Sequence, residues 1–241
     1  MNISCPGAKA FKQPEPQDIR CPFCDYELEM WTDEIKVKCP HCKKTVTRKQ
    51  APSCLDWCKY ARECVGDALF KDYMQNKRIV IKEFLLKELE AHFGNDSKRI
   101  NHAKRVMHYA NELLQKEPGD WHIVIPASIL HDVGIKAAEE KYGSSAGRYQ
   151  EIEGPAIARN ILLKAGFKKA DIDQICEIIG HHHSPGKINS QNFKVLYDAD
   201  MLVNLKEEVG LQDKLKLKEI IKRAFLTEAA KKLAAGIYFG E

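Results

Sequence analysis

The sequence predicts a mainly α protein, an all-α helical bundle preceded by a small β-rich, cysteine-rich module. Three observations predict it. Eight of the nine cysteines fall in the first 64 of the 241 residues. The same region holds short alternating segments, Glu27–Trp31 and Ile35–Lys38, with the period-two pattern of strands. Beyond Cys64 there is no proline until Pro118, and apolar residues recur at spacings of three and four, the spacing of helices that bury one face. The expected division is therefore a cysteine-rich metal-binding module over residues 1–66 and a helical domain over 67–241.

Each helix has its own signals. A first long helix is expected from about Ile79 to Phe93, ended by Gly94. Asp96 or Ser97 can cap the next, which lines up Ile100, Ala103, Val106, Ala110 and Leu113 on one face, and Pro118-Gly119 ends it. An apolar helix then runs from Ile123 to Leu130 and stops at His131-Asp132-Val133-Gly134. Residues 140–150 are rich in glycine and serine and read as a loop. Helices follow over 155–165, 171–182, 191–205 and 214–235.

Composition narrows the function classes. Hydrophobic residues make up 44% and charged residues 30% of the chain, the balance of an ordinary globular protein. The net charge is +4 and is shared between the two regions, so bulk charge gives nucleic-acid binding no help. No apolar run reaches the roughly 18 residues of a membrane span, and none of signal-peptide type opens the chain. Cysteines clustered in Cys-x-x-Cys pairs favour metal binding in a reducing compartment over disulfides, which makes a cytoplasmic location the expectation. Oligomeric state cannot be read from the sequence.

Cys21-Pro-Phe-Cys24 and Cys39-Pro-His-Cys42 are two knuckles separated by fourteen residues. Each short knuckle presents two sulfurs to one ion, and four thiolates close a tetrahedral zinc site with no open position. The arrangement reads as a structural zinc ribbon that the ion itself stabilises. A second set, Cys54, Cys58 and Cys64, lacks a fourth sulfur, and Cys5 is the unassigned cysteine nearest in sequence. The expectation is a second centre at Cys5, Cys54, Cys58 and Cys64, holding zinc or, as runner-up, an iron–sulfur cluster. Cys176 lies in a helical apolar pattern and reads as core.

Four residues of the helical region carry the main functional argument. His102 sits inside one helix, His131-Asp132 ends the apolar helix, and Asp200 lies in Tyr197-Asp-Ala-Asp200-Met. Polar groups placed against a core are unfavourable unless partnered. Two imidazoles and two carboxylates suit a divalent metal such as Mn, Fe, Co, Ni or Mg, and such a set leaves room for water and a phosphate oxygen.

In order and context, His102, His131-Asp132 and Asp200 resemble the His…His-Asp…Asp signature of the HD superfamily of metal-dependent phosphohydrolases, over roughly residues 80–210. The resemblance implies an all-α bundle, with these four residues as metal ligands and Asp132 at the centre of catalysis. Many members carry further histidines for a second metal. Here Gln150-Glu151 stands at the first such place, so Glu151 becomes the candidate there, and the His181-His182-His183 run stands at the other. Since adjacent positions on a helix point about 100° apart, His181 and His182 are the pair expected to contribute. Lys136, four residues past His131-Asp132 by its second member, is expected to act in catalysis and bind phosphate. Lys141 and Arg148 are expected to contact substrate phosphates.

The leading expectation is hydrolysis of a phosphate ester or anhydride in a nucleotide or related small molecule. The alternatives are a phosphodiesterase or nuclease acting on nucleic acid presented by the ribbon, which the charge balance does not favour, and a non-catalytic nucleotide or metal sensor. Oxidative chemistry at two irons ranks last. There is no Gly-x-x-x-x-Gly-Lys-Ser/Thr loop, which sets aside a P-loop nucleotide site.

Overall fold

A computed structural model describes residues 13–34, 36–47, 54–56, 58–208 and 214–240. The chain divides into two compact units, Met1–Ile81 and Lys82–Glu241. The break therefore lies inside a helix, whereas the boundary expected at residue 66 coincides with the Gly66 turn that starts that helix.

In the first unit, β1 (Pro16–Arg20) pairs antiparallel with β2 (Glu27–Trp31), placing Ile19 opposite Leu28. β3 (Lys36–Lys38) pairs antiparallel with β4 (Thr45–Thr47), placing Val37 opposite Val46. Along β2, Leu28 and Met30 are buried while Glu27, Glu29 and Trp31 face outward, as the pleat requires. The buried core of the hairpins is Cys21, Leu28, Cys39 and Val46. The two knuckles repeat one backbone design. The amides of Asp25 and Lys43 bond back to the carbonyls of Cys21 and Cys39 at 2.9 and 3.0 Å. Both residues take positive φ, 56° and 61°, a conformation that costs a non-glycine residue on the order of 1 kcal/mol and that the tight turn imposes.

After the ribbon, a single 3-10 turn (Cys54–Asp56) and the short α1 (Ala61–Val65) lead into α2 (Asp67–Phe93). Leu55, Ala61 and Tyr73 form a small core there. Asp56 accepts from the Tyr73 hydroxyl at 3.2 Å and pairs with Lys77.

The second unit holds α3 (Ser97–Leu113), α4 (Trp121–Leu130), α5 (Ile135–Tyr142), α6 (Gly147–Lys164), α7 (Lys169–Ile179), α8 (Gln191–Glu208), α9 (Lys214–Ala224) and α10 (Glu228–Phe239). Every residue of α4 from Ile123 to Leu130 is buried, and α3, α7 and α8 pack around it. Asp120 caps α4 by accepting from the His122 amide at 2.8 Å. Asp96 caps α3 by accepting from the Arg99 amide at 3.2 Å. The buried stripe of α3 is Ile100, Ala103, Val106, Ala110 and Leu113, the residues its periodicity selects. Among the described residues no helix is long and apolar enough to cross a membrane.

Besides α2, which begins at Asp67 rather than near Ile79, and α7, which ends at Ile179 rather than at 182, two stretches differ from the sequence reading. Residues 140–150 are not one loop: α5 continues to Tyr142, Gly143 closes it at φ 65°, and α6 has begun by Gly147. α6 also runs through Pro155 rather than starting there. Its local breaking signals are overridden by packing, since Gly134 and Gly154 let the turn before α5 and the body of α6 approach backbone to backbone. A Cβ on Gly134 would lie 2.5 Å from the Gln150 carbonyl oxygen and 2.7 Å from the Gly154 nitrogen. The helix expected over 214–235 is two helices, broken at Phe225–Thr227. Asp198, buried on α8, accepts from the Leu226 amide at 2.8 Å, the Thr227 amide at 2.7 Å and the Thr227 hydroxyl at 2.7 Å. That tertiary clamp fixes Thr227 as the cap of α10. Burial pushes the Asp198 carboxyl up to about 6 even against these donors.

Replacing Asp198 with Ala leaves three buried donors without their acceptor and is expected to destabilise the second unit by about 3 kcal/mol; a loss below about 1 kcal/mol in urea unfolding would show that the clamp does not hold α10. Gly134→Ala forces a shift of backbone rather than of a flexible side chain, with an expected loss of about 2 kcal/mol by the same measurement; an unchanged midpoint would mean that the two segments can part freely.

Candidate metal centre

The His-Asp turn is held from several sides. α4 ends at Leu130, and the following turn carries His131 and Asp132. His131 is completely buried, and its Nδ1 donates to the Ser128 carbonyl at 2.9 Å. Nε2 is thereby aimed away from the helix. His92, on α2, donates from Nε2 to the Val133 carbonyl at 2.9 Å, and burial holds the His92 pKa below its ordinary value, which keeps it a neutral donor.

His102 projects from α3 and Asp200 from α8 into the same place. His102 Nε2 lies 3.1 Å from Asp200 Oδ1 and 3.3 Å from His131 Nε2. His131 Nε2 lies 3.6 Å from Asp200 Oδ1 and 3.4 Å from Asp132 Oδ2. His102 Nε2 is also 3.6 Å from Asp132 Oδ2. The four residues separated by up to 98 positions in the chain therefore meet around one point.

A second group adjoins the first. Asp132, His182 and His183 offer ligand atoms within 4.8 Å of one another, as do His102, His131 and Asp200. Asp132 turns its other oxygen, Oδ1, toward His182 Nε2 at 3.5 Å, so its two oxygens face different groups. His182 repeats the device seen at His131: its Nδ1 donates to the carbonyl three residues back, Ile179, at 2.7 Å. Its Nε2 is buried with no hydrogen-bond partner among the described residues. A buried nitrogen lone pair aimed at a carboxylate, with its tautomer fixed by a backbone acceptor, is the arrangement of a metal-ligating imidazole.

The electrostatics agree with that fit. Burial works against charge on His131, but the carboxylates of Asp132 and Asp200 outweigh it and raise its pKa well above the ordinary value. Burial likewise opposes charge on Asp132, and the imidazoles of His131 and His182 overcome it to hold the carboxyl well below the usual range. Asp200 is held low by His102 and His131 against its own burial. The carboxylates are ionised and lean on the imidazoles for the positive charge that a divalent ion would supply. His183, lowered to about 4 by burial and by His182, is neutral and able to donate a lone pair.

The placement of the remaining residues refines the sequence reading. His181 is outside both groups, and His183 takes the part expected of it. The 100° argument fails because α7 ends at Ile179 and the three histidines lie on a turn. Glu151 is no part of either group; its carboxylate accepts from the His183 amide at 3.0 Å and the Ser184 hydroxyl at 2.9 Å, fixing that turn. Gln150, passed over as a functional residue, positions His183: its Oε1 accepts from His183 Nε2 at 3.2 Å, and its amide donates to the Ser145 carbonyl at 2.6 Å. Gly147 completes the cradle, since a Cβ there would lie 2.7 Å from the His183 ring. The signal in the sequence was a glutamine and a glycine at the start of one helix, which carries no message without the ring they enclose.

Lys136 is exposed one turn past the His-Asp pair. Lys141 is engaged by Glu153 at 2.8 Å, as is the Tyr142 hydroxyl. Arg148 donates to the Tyr149 hydroxyl at 2.9 Å and lies over its ring, while Tyr149 stacks on Tyr142 at 4.3 Å. Lys141 and the Tyr142–Tyr149 stack link α5 to α6, and Arg148 engages Tyr149.

In the ribbon, Cys21, Cys24, Cys39 and Cys42 converge. The Cys21–Cys42 and Cys24–Cys39 sulfurs are each 3.7 Å apart, close to the ~3.8 Å edge of a tetrahedron with Zn–S bonds of about 2.3 Å. Of the second cysteine centre, Cys5 and the Cys54 side chain lie outside the described residues. Cys58 and Cys64 are partly buried.

The chain matches the HD domain family over residues 99–236, a span containing all the residues of the two donor groups. The crystal structure of a predicted HD superfamily hydrolase from an uncultured Thermotogales bacterium is similar at 26% identity, covering 64% of this chain and 83% of the other, with a TM-score of 0.49. No curated protein matches significantly. With more than half its length matched and the His102, His131-Asp132 and Asp200 signature assembled at one point, the chain belongs to the HD domain family.

Proposed function

We propose that the protein is a metal-dependent phosphohydrolase that cleaves phosphate ester or anhydride bonds, with a nucleotide or related phosphorylated small molecule as its substrate class. The observation that carries the reading is the division of Asp132: Oδ2 faces His131 and His102, and Oδ1 faces His182. His102, His131, Asp132 and Asp200 would hold one divalent ion, and Asp132, His182 and His183 a second. Mn, Fe, Co, Ni and Mg all suit such nitrogen and oxygen donors. When bound, such ions supply Lewis acidity, which lowers the pKa of water and neutralises charge on a phosphoryl oxygen.

The chain's own residues do the rest. The Ser128 and Ile179 carbonyls hold the His131 and His182 rings in the tautomer that exposes Nε2. Burial of His131, His182 and Asp200 keeps the electrostatic field of the two carboxylates from being screened by bulk water. Lys136, exposed four residues after Asp132, would meet the outer oxygens of a phosphate. Lys141 is paired with Glu153 and Arg148 bonds to Tyr149, and both would need to turn from these partners to meet a substrate phosphate fully. In the ribbon, the sulfur spacings support one structural zinc at Cys21, Cys24, Cys39 and Cys42.

The deciding experiment is a phosphatase panel across phosphorylated metabolites with each of the five metals. Asp132→Ala is expected to lower turnover by at least three orders of magnitude, on the scale of losing the charge stabilisation of such a site, while the helical circular dichroism stays near wild type. Undiminished hydrolysis in that variant would end the reading. In a second measurement, elemental analysis is expected to find one zinc per ribbon that Cys39→Ser loses without affecting the Asp132-dependent activity; zinc retained at full stoichiometry in that variant would remove the ribbon assignment.

A further inference from the structure

Among the described residues, the two donor groups of the metal centre are unequal in charge. The first holds two carboxylates: Asp132 Oδ2 lies 3.4 Å from His131 Nε2 and Asp200 Oδ1 lies 3.1 Å from His102 Nε2. The second consists of His182 and His183 and shares Asp132, whose Oδ1 lies 3.5 Å from His182 Nε2. It has no carboxylate of its own. Glu151 stands beside it, but its two oxygens are taken, Oε1 by the His183 amide at 3.0 Å and Oε2 by the Ser184 hydroxyl at 2.9 Å. Gln150, which accepts from His183 Nε2 at 3.2 Å, is a neutral amide. Yet the buried His182 Nε2 has no hydrogen-bond partner, so the second group offers lone pairs without the charge to match an ion.

Electrostatics then set an order of binding. Asp132 and Asp200 together match the charge of one divalent ion. An ion entering the second group afterwards would find Asp132 already compensated, and beside it only imidazoles, which donate lone pairs but bring no negative charge. Two divalent ions around one shared carboxylate repel each other, and the repulsion is strong where burial excludes water, as it does at His131 and His182. A phosphate monoester carries a charge of about −1.5 to −2 at neutral pH, which closes that deficit. His183 is the exposed member of the second group, so a ligand reaches it from solvent.

We infer that Asp132, His182 and His183 form a conditional metal site, which holds its divalent ion tightly only together with a phosphate group, whereas the group of His102, His131, Asp132 and Asp200 loads on its own. The inference rests on the reading of the two donor groups as metal sites. It adds that the phosphorylated ligand is itself part of the second site and recruits the second ion. Linkage makes the effect reciprocal: phosphate tightens the ion by the same factor by which the ion tightens phosphate. Between ligands, the protein keeps one ion at this centre and exchanges the other.

The test counts Mn²⁺ bound to the full chain from the paramagnetic resonance signal of the free ion. Mn²⁺ prefers oxygen and nitrogen donors and leaves four thiolates to zinc, so the ribbon does not enter the count. Without phosphate, one equivalent is expected to bind tightly and a second at least tenfold more weakly. Inorganic phosphate at about 1 mM, the upper end of common substrate levels, is expected to tighten the second equivalent at least tenfold and leave the first unchanged. Equilibrium dialysis of labelled phosphate with and without Mn²⁺ should return the same factor. His182→Ala should keep the first equivalent and lose the phosphate-dependent one. Gln150→Glu, which sets a carboxylate beside His183, should bind the second ion without phosphate. Two equivalents of equal affinity in the absence of phosphate overturn the inference. So does a second equivalent indifferent to phosphate, a single equivalent under every condition, or a folded Gln150→Glu protein that still needs phosphate. The hydrolase reading fails separately, by turnover that survives Asp132→Ala.

Discussion

Helix α4 is buried along its whole apolar length and delivers at its C-terminal end an imidazole with no exposure at all, His131. An interior of that kind tolerates polar groups only when each finds a partner. The surrounding helices supply them: α3 brings His102, α8 brings Asp200, and the turn after α7 brings His182. The polar centre exists because the core around α4 is closed. Conversely, α3, α7 and α8 are held in register by the apolar packing that makes the polar end tolerable.

Two carboxylates on α8, two residues apart, show how one helix serves both needs. Asp200 faces the imidazoles, and its pKa is held low by them. Asp198 is clamped to the start of α10 by three donors. The motif Tyr197-Asp-Ala-Asp200 carries one acid for the His102–His131 donor group and one for architecture. Only tertiary partners distinguish them, since both are buried.

Much of this was legible in the sequence, and what was not has a common cause. The stripe of α3 and the ribbon knuckles are patterns of spacing, and spacing survives in one dimension; the order His102, His131-Asp132, Asp200 was legible through its resemblance to the HD signature. The break at Phe225–Thr227 was hidden because its cause, Asp198, lies 28 residues upstream of Leu226. The choice of His183 over His181 depended on where α7 stops. Residues 140–150 carry glycine and serine punctuation, yet α6 forms there because Gly134 and Gly154 admit a close backbone contact. Lys141 and Arg148 read as contacts for substrate phosphates, and their partners Glu153 and Tyr149 could not be read from the sequence.

The backbone acceptors behind His131 and His182 have a consequence for ion binding. Each ring is pinned by a carbonyl three residues earlier, at 2.9 and 2.7 Å, within its own stretch of chain. The two imidazoles are thus oriented by the chain itself. An ion bound there would pay little to order these two ligands, because their rings are already fixed.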